Sequence, residues 1–307
     1  MKRLLILLLA LSSPLASLAA DGAPFLWQVR HGTTTHYLLG SVHMLPVDTQ
    51  PLPEALQDAY ATTNGIILET DLATLEDPQT QASLLVAAQA PGGLKMMVSA
   101  ALYQRLATRL QALDIPLQTS CEPYKPWFCA MTLEALSFTR AGFEPDYGID
   151  QQFYTQAQTD EKSIGWLEEP QAHLALFTEM PDALSVEFLS STLDELADDK
   201  RGPRAMAEMW RNNDVAALER VTLDMKQHQP RAYARLLANR TRAWLPRLTA
   251  ILNGESPQLV IVGAAHMVGP DGLIPLLKKA GYDIKPVPNT VAAPAKANPL
   301  PAAAQGH

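Results

Sequence analysis

Two stretches far apart in the chain are built to one pattern: Tyr37 to Pro46, YLLGSVHMLP, and Val260 to Pro270, VIVGAAHMVGP. Each is a short apolar run that reads as a buried strand, then Gly-x-x-His, then Met, with a Pro ending regular structure. A Gly at a strand end lets the backbone approach a neighbour or a ligand closely, and the His three residues later is carried past the edge of the sheet. An isolated His in such a place is usually a hydrogen-bonded structural residue. Repetition of the whole device points instead to a fold that brings two strand ends, and His43 and His266, to one crevice.

The rest of the chain reads around these two runs. Phe25 to Arg30 and His36 to Gly40 form a hairpin signal across His31, Gly32 and a threonine cluster, without a strict two-residue turn. A helix starting at Pro53 and Glu54 leads to Gly65–Leu68, a buried strand ending in Glu69, Thr70 and Asp71. Strand, helix and strand at this spacing predict a parallel unit with a right-handed crossover, with Glu69 leaving the sheet beside His43. Pro78 to Leu117 and Phe128 to Phe138 read as helices. Asp150 opens a helix from Gln151 to Ala157 and fits its N-cap. Lys162 to Glu169 repeats the strand-to-acid pattern and delivers Glu168. Gln171 to Leu252 is helical by periodicity, with His173 and His228 as ordinary packing or surface residues. Gln258 to Val262 delivers His266, and a helix and short strand end the domain near Val287.

At the N-terminus Lys2 and Arg3 precede the apolar run Leu4 to Leu11, followed by Pro14 and small residues up to Ala19 and Ala20. This is the layout of a secretory signal peptide with cleavage after Ala19. The apolar run is too short to span a bilayer, which takes roughly twenty residues. The division expected is a signal peptide over 1–19, one domain over 20–287 and a disordered tail over 288–307, with periplasmic or secreted location and no stable membrane anchor. Without Lys2 and Arg3 the chain keeps 22 basic residues against 32 acidic ones, a net charge of −10 that excludes nucleic acid as a natural partner. Cys121 and Cys129, eight residues apart, are open to two readings, a disulfide formed in an oxidising compartment or two buried thiols.

Four strand ends thus supply His43, Glu69, Glu168 and His266, and ligands of open α/β sheets bind outside the carboxyl ends of strands. Two imidazoles with one or two carboxylates match the ligand sets of catalytic zinc sites and suit Mn or Co as well. His43, His266 and Glu69 are the expected metal ligands, with Glu168 as general base. Such a metal polarises a carbonyl and lowers the pKa of bound water, which is hydrolytic chemistry. No Gly-x-Ser-x-Gly, phosphate-binding loop or Gly-x-Gly-x-x-Gly offers a competing chemistry.

The segments YLLGSVHMLP, IILETD, DYGIDQQF, WLEEPQAHLALF, LLANRTRAWLPRL and VIVGAAHMVGPDGLIPLLKKAGYDI resemble the TraB/GumN family, which includes the animal Tiki proteases. The resemblance runs from about Phe25 to Val287. It implies an α/β fold with a mixed central sheet flanked by helices, like erythromycin esterase and haem-binding ChaN, with a helical insertion between two halves. It also implies a metal-dependent peptidase, and functional roles for His43, Glu69, His266, Glu168 and Arg240. Where many relatives have Asn after that Arg, this chain has Thr241, which leaves helix-surface charge as the other reading of Arg240. The expectation is an exported hydrolase of a peptide or small-molecule substrate. The competing class is a non-catalytic periplasmic protein sequestering a peptide, haem or metal.

Overall fold

The computed structural model describes residues 22–198 and 202–288, so the signal-peptide and tail segments expected at 1–19 and beyond Pro288 lie outside the described residues. Among the described residues eight strands are present: β1 (Gly22–His31), β2 (Thr34–Ser41), β3 (Leu45–Pro46), β4 (Gly65–Leu68), β5 (Phe143–Glu144), β6 (Ser163–Trp166), β7 (Gln258–Gly263) and β8 (Asp283–Pro288). Six of them form one sheet in the order β6-β4-β7-β2-β1-β8. β6, β4, β7 and β2 run parallel, while β1 pairs antiparallel with both β2 and β8, so the sheet is mixed and the protein α/β.

The sequence of β7 explains its central place. Leu259, Val260, Ile261 and Val262 are all buried, the uninterrupted apolar run of a parallel strand covered on both faces. It separates β2 from β4, so the crossover starting with helix Glu54–Ala61 skips one position and the neighbours in sequence are not neighbours in the sheet. Spacing along the chain carries no information about a strand that arrives two hundred residues later. The β1–β2 turn is tighter than expected: Gly32 and Thr33 alone connect the strands, with Gly32 at φ +57°.

The two longest helical stretches lie between β4 and β6 and between β6 and β7, rather than forming one insertion. A main apolar cluster around Leu38, Leu39, Ile66, Leu68 and the β7 residues underlies the sheet. A second cluster lies among the helices, built mainly from Leu102, Leu106, Leu110, Leu133, Leu189 and Leu193. Cys121 and Cys129 sit fully buried inside it as a disulfide with Cα atoms 4.8 Å apart, which resolves the two readings of the pair. Among the described residues, no helix is long and apolar enough to cross a membrane.

Candidate functional site

Because β6, β4, β7 and β2 are parallel, Glu168, Glu69, His266 and His43 all emerge at one edge of one sheet. The two motif glycines work differently. At Gly40 a Cβ would stand 3.0 Å from the Ala264 Cα, so this glycine lets the two motifs pack backbone to backbone, with the Gly40 carbonyl accepting from Trp210 Nε1 at 2.8 Å. At Gly263 a Cβ would stand 3.2 Å from Glu69 Oε1, 3.7 Å from His266 Cδ2 and 4.0 Å from His43 Nε2. Both imidazoles and the carboxylate therefore converge on the space Gly263 leaves, with the two ring atoms less than about 8 Å apart.

Arg240 stands at the centre. It follows a π-helical turn, Ala234–Ala238, at the start of helix Asn239–Leu252, and its side chain is 11% exposed, which removes helix-surface charge as its role. Nη2 lies 2.5 Å from Glu69 Oε2, 2.7 Å from Glu168 Oε1 and 3.3 Å from His173 Nδ1. Nε faces both Glu168 oxygens at 3.2 and 3.3 Å, and Nη1 reaches the Leu236 carbonyl at 3.2 Å and His266 Nε2 at 3.1 Å. The guanidinium stacks on Trp244, 4.8 Å from Cζ to the ring centre, and Trp244 Nε1 donates to Glu168 Oε2 at 2.8 Å. Glu69 Oε1 accepts the Gly263 N–H at 2.7 Å.

These contacts set the protonation states. Burial alone pushes Glu69 and Glu168 upward, yet both are held below the usual carboxylate range. Glu69 is held by Arg240, His266 and His43, and Glu168 by hydrogen bonds from His173, Arg240 and Trp244. Glu168 is therefore ionised, with both oxygens engaged by Arg240, His173 and Trp244. His266 is pulled down to about 4, first by burial and then by Arg240, against Glu69 pulling upward. Thr241 orients this ring: its Oγ1 is 2.8 Å from His266 Nδ1.

His43 has a different partner. Asp150 Oδ2 is 2.8 Å from His43 Nδ1 and raises the ring to about 9, with Glu69 adding to the rise. Asp150 is not an N-cap, since Gly148 caps the helix Ile149–Thr159 and Asp150 lies in its first turn. The backbone delivers it there. β3, just after His43, pairs with β5, just before the Asp150 turn, and Ile149 N–H donates to the Val42 carbonyl at 3.0 Å. A Cβ at Gly148 would stand 2.3 Å from the His43 carbonyl, so only glycine permits this approach. The His43 side chain is 66% exposed, and it lines a cavity of about 290 Å³ together with Glu69, His173, Asp150, Leu72 and Ile261.

Three residues here escaped sequence reasoning: Asp150, His173 and Trp244. His173 Nδ1 lies 2.7 Å from Glu168 Oε1, one turn into the helix Pro170–Thr178 that begins right after the strand-end acids. A His in the first turn behind a strand-end carboxylate is a readable signal, as is a glycine two residues before Asp150.

Glu69, Glu168 and His173 offer atoms lying within 4.8 Å of one another, a set that could hold a metal ion. The expected set of His43, Glu69 and His266 shares only Glu69 with it: His43 is turned to Asp150, and His266 lies between Thr241 and Arg240 Nη1. What stands between the three is Arg240 Nη2, in contact with all of them, so the residues present fit an ion in kind but their meeting point is taken by a cation of the chain itself.

The protein is thus an α/β protein with a mixed sheet and a buried Glu–Arg–Glu centre between two Gly-x-x-His motifs. The chain belongs to the TraB/PrgY/gumN family, whose model matches residues 25–286. It is similar to the uncharacterized protein YbaP of Escherichia coli (strain K12) and of Shigella flexneri, 28% identical to each over 253 residues, which is 80% of this chain and 89% of each relative. No solved structure matches it.

Proposed function

We propose that this crevice is the hydrolytic centre of an exported protein and that its target is a peptide bond. The observation that carries the reading is the His43–Asp150 pair: Nδ1 is held by a carboxylate 2.8 Å away, which leaves Nε2 toward the Gly263 side, where Glu69 and His266 converge. In this reading the neutral His43 Nε2 takes a proton from water as the oxygen attacks a carbonyl carbon. The proton passes to the leaving amine as the C–N bond breaks, and Asp150 stabilises the imidazolium formed between the two steps. Leu72 and Ile261 offer an apolar wall to a side chain beside that bond, and a cavity of about 290 Å³ suits one or two residues of an extended peptide. The buried disulfide supports export to an oxidising compartment such as the periplasm. An erythromycin-esterase-like architecture belongs to the same proposal.

A metal-dependent form of this chemistry would draw on Glu69, Glu168 and His173, the set whose atoms lie close enough to hold an ion. Since Arg240 holds their meeting point, no step is assigned to an ion. The test is a peptide-library assay on untagged protein, with and without chelator. Cleavage that falls by about 10² to 10⁴ in His43→Ala supports the proposal. Loss on chelation with recovery in Zn, Mn or Co selects the metal-dependent form. Peptide binding with no cleavage of any library member selects the sequestering protein instead.

A further inference from the structure

We infer that Arg240 is the resident cation of this centre, standing where a divalent ion would sit, so that the wild-type chain takes no metal there and becomes a metal site only when the arginine is removed. The inference concerns the same crevice as the hydrolytic reading but is measured by ion binding without any turnover assay, so either can fail alone.

Three observations carry it. First, the donors that could hold an ion meet at Nη2 and nowhere else: Glu69 Oε2, Glu168 Oε1 and His173 Nδ1 all lie within 3.3 Å of that nitrogen. Second, the guanidinium has five N–H groups, and the acceptors around it engage them all. Nε faces Glu168, Nη1 faces the Leu236 carbonyl and His266 Nε2, and Nη2 faces Glu69 and Glu168. No N–H is left for a substrate oxygen, so Arg240 acts on the site through its charge and its grip on the carboxylates. Third, the outer oxygens are fixed as well, Glu69 Oε1 by the Gly263 N–H and Glu168 Oε2 by Trp244 Nε1. Side chains only 11% to 12% exposed hold these charges, and a buried carboxylate left without its cation is strongly unfavourable. An ion entering the wild-type centre must therefore break several charge-assisted hydrogen bonds and strand a buried guanidinium beside it. Without the guanidinium, two buried carboxylates and the His173 imidazole face an uncompensated point, which is the donor chemistry of a Zn or Mn site.

The experiment is metal content per chain, with thermal melting, for untagged wild type, Arg240→Met and Arg240→Lys after incubation with Mn, Zn or Co and desalting. Expected is an ion-free wild type whose Tm does not respond to the ions, an equally ion-free Arg240→Lys, and an Arg240→Met that holds one ion per chain. The affinity of Arg240→Met should exceed that of wild type by roughly 10- to 100-fold, the scale on which neighbours of a metal site change its affinity. An Arg240→Met chain that folds only with the ion present supports the inference equally. Wild type that holds one ion per chain and loses it in Glu168→Gln overturns it, as does a folded Arg240→Met that binds none.

Discussion

The Thr241 hydroxyl stands 2.8 Å from His266 Nδ1 and 2.9 Å from the Leu237 carbonyl. A carbonyl only accepts, so the hydroxyl hydrogen belongs to Leu237 and the ring must donate its Nδ1–H to Thr241. His266 is thereby fixed as the neutral tautomer with its Nε2 lone pair toward Arg240 Nη1, 3.1 Å away. Replacing Thr241 by Val leaves a buried Nδ1–H without an acceptor. The expected cost is about 1–3 kcal/mol in urea unfolding. Thr241→Asn, which restores an acceptor, should recover most of that loss; if both variants unfold alike, the hydroxyl does not set the tautomer.

His266 also makes stability depend on pH in a defined window. Its folded value of about 4 lies below the 6.5 of an exposed imidazole, so between those values the unfolded chain binds more protons. The contribution is fully present above pH 6.5 and is lost as pH falls toward 4, by at most about 1.4 kcal/mol per pH unit. Melting wild type and His266→Gln at pH 7, 5.5 and 4.5 checks this: the wild-type Tm should fall more steeply across the window. Glu69 and Glu168, both depressed, add a further loss below the usual carboxylate range.

His43 has the opposite sign. Raised to about 9 by Asp150, it favours the folded state fully below pH 6.5 and loses that contribution as pH rises through 9. Its surface is two-thirds exposed, so water screens the pair and the effect on stability is small. The effect on chemistry is the measurable one. Neutral His43 becomes available as pH rises toward 9, so a His43-dependent rate should climb over that range, and Asp150→Asn should move both the ring titration by NMR and the rate limb toward 6.5. A rate limb that stays put in Asp150→Asn would remove His43 as the base.

Gly40→Ala and Gly263→Ala should fail in different ways. At Gly40 the new methyl meets the Ala264 backbone at 3.0 Å, which overpacks two strand ends and costs about 1–3 kcal/mol of stability. At Gly263 it meets Glu69 Oε1 at 3.2 Å and faces both imidazoles, so the fold should persist while site function is lost. Melting curves and the peptide assay, run on both variants, separate the two.

Cys121 and Cys129 close a short loop inside the helical cluster. Replacing both by Ser should lower stability by about 2–3 kcal/mol and leave the crevice unchanged, since the sheet edge has its own core. Urea unfolding of the variant beside oxidised and reduced wild type measures the bond; equal midpoints in all three would show that it adds nothing.

The sequence by itself determined the parts whose signals are local. Apolar runs ending in Gly-x-x-His, and runs ending in carboxylates, mark strands and the groups at their ends, because a strand's period and its terminating residues are written within ten positions. The convergence of His43, Glu69, Glu168 and His266 followed from one rule, that parallel strands expose their carboxyl ends on one side. Partnership was decided only in three dimensions. Whether Glu168 was a free base or a saturated ion, whether Arg240 was surface charge or the centre of the site, and whether Asp150 capped a helix or held His43 turned on residues 72, 171 and 107 positions apart. The order of strands decided it too, since β7 enters between β2 and β4 from the far end of the chain. A side chain's charge state depends on burial and on the charges within a few ångströms, and those neighbours are assembled by packing, not by adjacency along the chain.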